Sequence, residues 1–197
     1  MLSVIQRMEE RALQTLNEML TARGVKAEKF ENVGSPLDET TMYVFGSVLV
    51  VFSSKARVTE KELMNCIKYA GDNGYSNGVI IVSQTRASDA VLSALREYIS
   101  NEENQLVQLF DIRHLQFNIS KHVKVPNHRL IIPSELPEIL EKTNATEPSK
   151  FRKIDSQDPM ARWVGARPGD VIEVTGMCET SLENKRYLFC MADVTNG

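Results

Sequence analysis

Histidine and cysteine are the side chains of this sequence that bind metals most readily, and the chain has three of each. His122 and His128 lie on either side of Pro126, at a spacing that neither a helix face nor a strand face requires of two metal ligands. The cysteines form no Cys-x-x-Cys pair, so neither a zinc ribbon nor a disulfide framework is expected. We therefore predict no metal site and no cofactor, and a reducing compartment.

Nucleophilic and nuclease chemistry receive equally little support from the sequence. We expect no nucleophile elbow of the hydrolase type and no glycine-rich phosphate loop. Cys66 lies within a predicted helix, as a buried residue would. A nuclease pattern of acidic residues on strands would suit the first half of the chain, but segment 79–84, "VIIVSQ", carries no carboxylate. We therefore predict that no residue is catalytic, and we keep a stand-alone metal-dependent nuclease as the alternative function.

The charge balance argues against a protein that binds nucleic acid by itself. The formal net charge is −3, and residues 119–197 hold equal numbers of basic and acidic side chains, 11 of each. Independent nucleic-acid binders usually carry a basic excess, because neutralised phosphates supply most of their affinity. Contact with nucleic acid would therefore be local and within a complex. No apolar run approaches the ~18 residues of a membrane span, and Glu9 and Glu10 interrupt any signal peptide. We predict no membrane partner.

The elements predicted for the first half of the chain alternate between helix and strand. An amphipathic helix, capped by Ser3 and ending at Gly24, has an apolar stripe that suits core packing, with a partner-binding face as the alternative. The later predicted elements are one or two strands within Met42–Phe52, with Gly46-Ser47 as a turn or a bulge, and a helix after the capping box Thr59–Glu62. Strand Val79–Val82, a helix after Ser88 and strand Leu106–Phe110 follow. This order predicts an α/β domain with a partly parallel sheet, over residues 1–118.

The second half, residues 119–197, predicts a small α+β domain with a mixed sheet, so that the chain is α+β overall. Pro126 and Pro133 bound an extended piece that belongs at a sheet edge or a bend rather than in a central strand, and Ser134 and Glu135 open a helix. The later predicted elements are a helix from Asp158-Pro159 to Gly165 and a type II turn at Pro168-Gly169. Two strands follow, Val171–Val174 and Arg186–Met191, joined by a long loop over about 176–185.

The segment "DPMARWVGARPGDVIEV" of this half closely resembles the motif D-P-V-A-R-Y-L-G-x-x-x-G-x-V-V-K-I of one RNA polymerase subunit. This is the fifth, shared subunit of the eukaryotic nuclear RNA polymerases, which has an archaeal counterpart. "FNISKHVKVPNHRLI" and "CETSLENKRYLF" are similar to two further motifs of that family, and the second aligns Glu179, Thr180, Arg186 and Tyr187. The resemblance covers about residues 115–191, which correspond to the family's assembly domain.

The first half resembles the jaw domain of the eukaryotic version more weakly, chiefly through "GVIIVSQTRASDAVLSAL". Archaeal subunits lack the jaw, so the two-domain form implies a eukaryotic-type polymerase. Trp163 stands where the family usually has Tyr, the 180–186 loop is longer, the jaw is shorter and the tail "ADVTNG" extends further. These departures resemble copies carried by large cytoplasmic double-stranded DNA viruses. The expected location is intracellular: host cytoplasm and virion if viral, nucleus if cellular.

The resemblance implies a non-catalytic subunit of a DNA-directed RNA polymerase. Its assembly domain would dock on the largest subunit, beside other polymerase subunits, and its jaw would approach downstream double-stranded DNA weakly and only within the complex. The implied DNA-proximal residues are Gln84, Thr85, Arg86 and Ser88. Arg86, two hydroxyls and a helix N-terminus suit phosphate, whereas simple helix capping by Ser88 is the alternative.

Nine residues of the second half are the predicted docking residues. They are His122, Pro126, His128, Asp158, Pro159, Arg162, Gly165, Arg186 and Tyr187. The alternative, that a residue merely holds the fold of its own domain, is favoured for Pro159 and Gly165. Arg162 is the strongest candidate for a contact, because a guanidinium fork pairs with a carboxylate through two bonds. A third interpretation of the whole chain is a free regulator that uses the assembly domain to bind polymerase transiently.

Overall fold

The computed structural model describes residues 4–27, 29–35, 37, 39–75, 77–101, 103–178 and 181–193, with the backbone alone at 177–178 and 181–183. The contacts divide the chain into two compact units, Met1–Asn118 and Ile119–Gly197. Each unit contains one sheet. No helix in the described ranges is long and apolar enough to cross a bilayer. The predicted Ser3 cap lies outside these residues.

The first unit is built on a five-stranded sheet of order β1-β2-β3-β4-β5. Its strands are β1 Glu31–Val33, β2 Thr40–Phe45, β3 Val48–Ser53, β4 Val79–Ser83 and β5 Val107–Asp111. β3, β4 and β5 run parallel, whereas β1, β2 and β3 pair antiparallel. A two-residue turn at Gly46-Ser47 joins β2 to β3, so the segment forms two strands rather than one, and Gly46-Ser47 is a turn rather than a bulge. The predicted α/β arrangement with a partly parallel sheet is confirmed.

Three helices cover the two faces of this sheet. α2, Glu60–Asp72, and α3, Asp89–Ser100, pack on one face and share its core with buried side chains of β3, β4 and β5. α1, Val4–Ala22, buries Leu16, Met19 and Leu20 completely, as expected of a core stripe. Just after α1, the Arg23 guanidinium donates a 2.7 Å hydrogen bond to the side chain of Gln108 in β5. The next residue, Leu109, packs on the α2–α3 face, so Gln108 points to the other face of the sheet. α1 therefore covers the opposite face.

The capping predicted for α2 and α3 is present. The Thr59 hydroxyl accepts from the Glu62 backbone N–H and the Glu62 carboxylate accepts from that of Thr59, a complete capping box. The Ser88 hydroxyl accepts from the Val91 N–H at 3.5 Å. Because both helices follow parallel strands, their N-termini lie at the edge where β3 and β4 end.

The second unit contains a four-stranded mixed sheet of order β6-β8-β9-β7. Its elements are β6 Asn127–Leu130, α4 Leu136–Thr143, β7 Arg152–Asp155, α5 Pro159–Val164, β8 Val171–Cys178 and β9 Ser181–Met191. β7 pairs with β9 in parallel, and the other pairs are antiparallel. Short 3-10 turns lie at Ile119–Lys121 and Pro148–Lys150. β6 forms one edge, as the flanking prolines predict.

Two features of the second unit differ from the sequence prediction. β8 extends to Cys178 and β9 begins at Ser181, so the long loop predicted over about 176–185 is wrong. The polar run "ETSLENK" suggested a loop, but pairing with β8 continues to the Cys178–Ser181 pair, past an irregularity between Gly176 and Cys178. The parallel strand β7 was also missed, because its partner β9 lies more than thirty residues away in the sequence and local pattern carries no sign of such pairing.

Candidate functional site

The short helix α5 and its caps contain four of the nine predicted docking residues, and three of these shape the helix itself. The Asp158 carboxylate accepts hydrogen bonds from the backbone N–H groups of Met160 (2.8 Å) and Ala161 (3.4 Å), as a helix cap does. Pro159 takes the first helical position, where its missing N–H costs nothing. Gly165 ends the helix at φ 76°, a left-handed conformation that favours glycine. The predicted bounds of this helix are confirmed.

Arg162, on the same helix, is half-buried and lies in the field of two acids. Burial lowers the pKa of its guanidinium, and the nearby carboxylates of Asp158 and Asp155 oppose that lowering. Arginine keeps its charge through shifts of this kind, because its pKa starts so far above neutrality. α5 therefore carries a partly exposed, permanent positive charge on a rigidly capped helix, while Trp163 beside it is buried in the core.

Three more predicted docking residues meet at one end of the sheet. His128 of β6 is opposite Val174 of β8, which is in turn opposite Arg186 of β9, so the three side chains share one face. The His128 ring nitrogen Nδ1 lies 2.8 Å from the Pro126 carbonyl oxygen. Pro126 and Arg186 both flank Gly176, where an added methyl group would lie 3.6 Å from the proline ring and 3.9 Å from the guanidinium.

The remaining two predicted docking residues lie apart from that row. His122 is exposed in the turn after Ile119–Lys121, where its Nδ1 accepts a hydrogen bond from the Lys124 backbone N–H at 3.2 Å. Tyr187 points to the opposite face of the sheet from Arg186, where its ring packs on Phe151 with centroids 5.6 Å apart. The docking residues thus occupy α5, one end of the sheet and one turn, and their role in docking stays a prediction.

A cleft of about 760 Å³ opens beside this end of the sheet, between β9 and the chain that leads into β7. His128, Arg186 and Tyr187 line it. Its other basic lining residues, Lys150, Arg152, Lys153 and Lys185, were not singled out from the sequence. The run "KFRK" over 150–153, three cations in four residues, is the signal that could have indicated them.

The predicted DNA-proximal residues lie in the loop between β4 and α3, where the parallel strands end. Gln84 donates a 2.9 Å hydrogen bond to the Ser54 carbonyl oxygen, and the Thr85 backbone N–H donates a 3.0 Å bond to that of Ala56. These bonds fasten the loop to the one that follows β3. Arg86 is exposed between Thr85 and the Ser88 cap. In open α/β sheets, ligands usually bind at this edge.

Arg57 is a second exposed cation at this edge that the sequence reasoning missed. It directly follows Ala56, the residue to which Thr85 is hydrogen-bonded, so Arg57 and Arg86 occupy adjoining loops. Nothing in the sequence indicates that Arg57 and Arg86 lie close together, because they are almost thirty residues apart. The parallel pairing of β3 with β4 brings the loops that carry them side by side.

Catalytic groupings find little support in the described part of the chain. Those residues contain no cluster of three or more His, Cys, Asp or Glu side chains that could hold a metal ion. The letters Gly74-Tyr-Ser-Asn-Gly78 do match G-x-S-x-G, although we expected no nucleophile elbow. A nucleophile elbow follows a strand and opens a helix. This segment instead follows α2 and leads into β4, and its Ser76 lies outside the described residues.

Comparison with known proteins decides the family. The family described as RNA polymerase Rpb5, C-terminal domain, matches residues 117–190. Subunit Rpo5 of the DNA-directed RNA polymerase of Pyrococcus abyssi is 44% identical over 59 residues, which are 30% of this chain and 71% of the archaeal one. The chain belongs to the Rpb5/Rpo5 family of RNA polymerase subunits. The predicted resemblance is therefore confirmed.

Longer eukaryotic members of the Rpb5/Rpo5 family are similar beyond the second unit. The subunit rpabc1 of RNA polymerases I, II and III of Dictyostelium discoideum is 28% identical over 145 residues, covering 74% of this chain and 72% of its own. Subunit 5B of RNA polymerases IV and V of Arabidopsis thaliana is 31% identical over 110 residues, 56% of this chain and 48% of its own. Both alignments exceed the length of unit 119–197, so they extend into the first unit.

Proposed function

We propose that this chain is a non-catalytic subunit of a DNA-directed RNA polymerase, and that nucleotidyl transfer belongs to other subunits. Residues 119–197 would serve as the assembly domain that docks on the largest subunit, and residues 1–118 as a jaw near downstream DNA. The observation that supports docking is the family match over residues 117–190, which spans all nine predicted docking residues. The eukaryotic alignments that reach the first unit support a jaw.

Arg162 offers a direct test of docking. In Arg162→Lys the positive charge remains but the planar fork is lost, so paired bonds to a partner carboxylate cannot form. We expect the recovery of the largest subunit with the tagged chain to fall about tenfold, since lysine keeps the charge but loses one hydrogen bond to a charged group, which costs about 1.5 kcal/mol. Quantitative mass spectrometry of the purified complex measures this recovery.

A stability measurement separates docking from folding in that variant. Urea unfolding of Arg162→Lys measures any change in folding stability, and a docking role predicts that the recovery falls by more than this change explains. The matched control is Lys68→Arg, an exposed conservative change on α2 that should alter neither quantity. Equal loss of folding stability and recovery, or unchanged recovery, would count against a docking role of Arg162.

Substitutions of Arg86 and Arg57 test whether the first unit serves as a jaw near downstream DNA. We expect Arg86→Ala, and more strongly Arg57→Ala with Arg86→Ala, to weaken promoter opening and elongation while the complex assembles normally, because both cations would contact downstream phosphates. Each lost phosphate contact should also reduce the slope of log activity against log salt by about one. The control Lys61→Ala removes an exposed charge of α2. Promoter opening and elongation as fast as in the control would refute a DNA-facing role for this edge.

The alternative functions receive no specific support from the described residues. These residues hold no group of three or more His, Cys, Asp or Glu side chains that would bind the metal of a nuclease, and the loops at the carboxyl edge of the first sheet expose Arg57 and Arg86. Viral origin stays a prediction, as the three relatives described above are cellular proteins. We expect the chain to be located wherever its polymerase works inside the cell.

A further inference from the structure

The cleft of the second unit lies where the outer edge of β9 loses its neighbour. β7 pairs with β9 only over Leu188–Met191, although β9 begins at Ser181. Before Leu188, the other side of β9 pairs with β8, apart from the irregularity between Gly176 and Cys178. The outer edge near Lys185 therefore faces the cleft without a strand partner among the described residues. An open strand edge is a template for pairing with another chain.

Hydrogen bonds along β9 show which main-chain groups face that cleft. The Cys190 N–H donates to Asp170 (2.8 Å) and the Cys190 carbonyl accepts from Gly169 (2.9 Å), both on the β8 side. The Met191 carbonyl accepts from Ser156 (2.8 Å) on the β7 side. Successive residues of a strand direct their N–H and C=O groups to opposite sides. Lys185 is an even number of residues from Met191, so its N–H and C=O point to the same side as those of Met191, which here is the cleft.

The charge of the cleft is of one sign in a unit that is neutral as a whole. Residues 119–197 hold 11 basic and 11 acidic side chains. Among the described residues, five of those basic side chains line the cleft and no acidic one does. They are Lys150, Arg152, Lys153, Lys185 and Arg186. Glu173 reaches only one of them, with Lys185 Nζ at 3.7 Å from its Oε1. Such a surface is complementary to an acidic partner.

The apolar lining favours a polypeptide over a nucleic acid. Ile154 and Leu188 line the cleft beside the packed rings of Phe151 and Tyr187, so side chains of a bound peptide would find apolar contacts. The open main-chain groups at Lys185 match a peptide backbone, which nucleic acids lack. A single-stranded nucleic acid would need free aromatic faces for stacking, whereas Tyr187 is packed against Phe151.

We propose that this cleft receives an acidic, extended segment of the largest polymerase subunit, laid along the outer edge of β9. Main-chain bonds at Lys185 would fix its register, and the five cations would select acidic side chains. The inference rests on the proposed function, since it names the partner chemistry of the docking unit. It adds Lys150, Arg152, Lys153 and Lys185 to the docking surface.

Short overlapping peptides that cover the largest subunit of the co-purifying polymerase provide the probe. Their binding to the full chain is measured by fluorescence anisotropy, and again with Lys150→Gln/Arg152→Gln, which removes two exposed charges of the cleft. We expect an acidic peptide to bind, and to bind about tenfold more weakly to this double variant, as two lost charge pairs would cause. The matched control, Lys61→Gln/Lys68→Gln on α2, should bind the peptide as the original chain does.

The outcomes separate this inference from the function on which it rests. If the original chain co-purifies with polymerase but no acidic peptide binds, or if the cleft variant binds it as tightly as the control, the inference is wrong and the proposed function stands. Tight binding of a short DNA duplex that the cleft variant loses would also overturn it in favour of a nucleic-acid site. If the chain does not co-purify with polymerase at all, the proposed function fails and the inference fails with it.

Discussion

Replacement of Trp163 by alanine is expected to lower the free energy of unfolding of the second unit by about 3–5 kcal/mol, as for other buried aromatic residues. The side chain is only 8% exposed and belongs to α5, which contacts β6 and the turn at Ile119–Lys121. A domain of this size has a total stability of about 4–12 kcal/mol. The substitution should therefore remove a large share of the stability of the second unit, and recovery of the polymerase should fall as the unfolded fraction rises.

Trp163→Tyr is the matched control for that experiment, because tyrosine is the residue that the family motif usually has there. A smaller aromatic side chain should cost about 1–2 kcal/mol, near the limit for volume-conserving changes. Urea unfolding and co-purification with the largest subunit measure both variants. Trp163→Ala with stability close to that of the original chain would contradict the place of Trp163 in the core.

Gly78→Ala is expected to destabilise the first unit by about 3 kcal/mol, through backbone strain and overlap together. Gly78 has φ 124°, which side chains of L-residues rarely allow, and an added methyl group would lie 2.6 Å from the Leu106 carbonyl oxygen. That oxygen accepts the 2.8 Å hydrogen bond of Val79. Any movement that relieves the overlap would disturb the pairing of β4 with β5.

Gly71→Ala is expected to change the free energy of unfolding of the first unit in the opposite direction. Gly71 lies in α2, and an added methyl group there would meet no atom within 4 Å. Alanine should therefore raise the free energy of unfolding by about 0.5–1 kcal/mol, since glycine is costly inside helices. Urea unfolding of the two variants measures the contrast, and equal effects of the two substitutions would contradict this account of the β4 entry.

Local signals in the sequence predicted much of the fold. The capping box at Thr59, the cap at Ser88 and the joints at Asp158 and Gly165 all act within a few residues of themselves, and the structure contains each of them. The continuous apolar run at Val79–Val82 likewise became β4. A residue that fixes the conformation of the backbone within a few residues of itself can therefore be recognised from the sequence alone.

Features that depend on distant pairing could not be predicted in this way. β7 is half-exposed and four residues long, and it exists because β9 supplies its partner. The extension of β9 across polar residues depends equally on β8. Arg57 and Lys185 are brought to their sites by the same long-range pairing, whereas the basic run over 150–153 was visible in the sequence.

The subunit stoichiometry of the complex purified through this chain tests the central claim most directly. Native mass spectrometry of the tagged full chain, purified from the cells in which it works, gives the ratio of the chain to the largest polymerase subunit. We predict one copy of each, retained through extensive washing. Substoichiometric association would indicate a transient regulator, and recovery of the chain without polymerase subunits would contradict its role as a polymerase subunit.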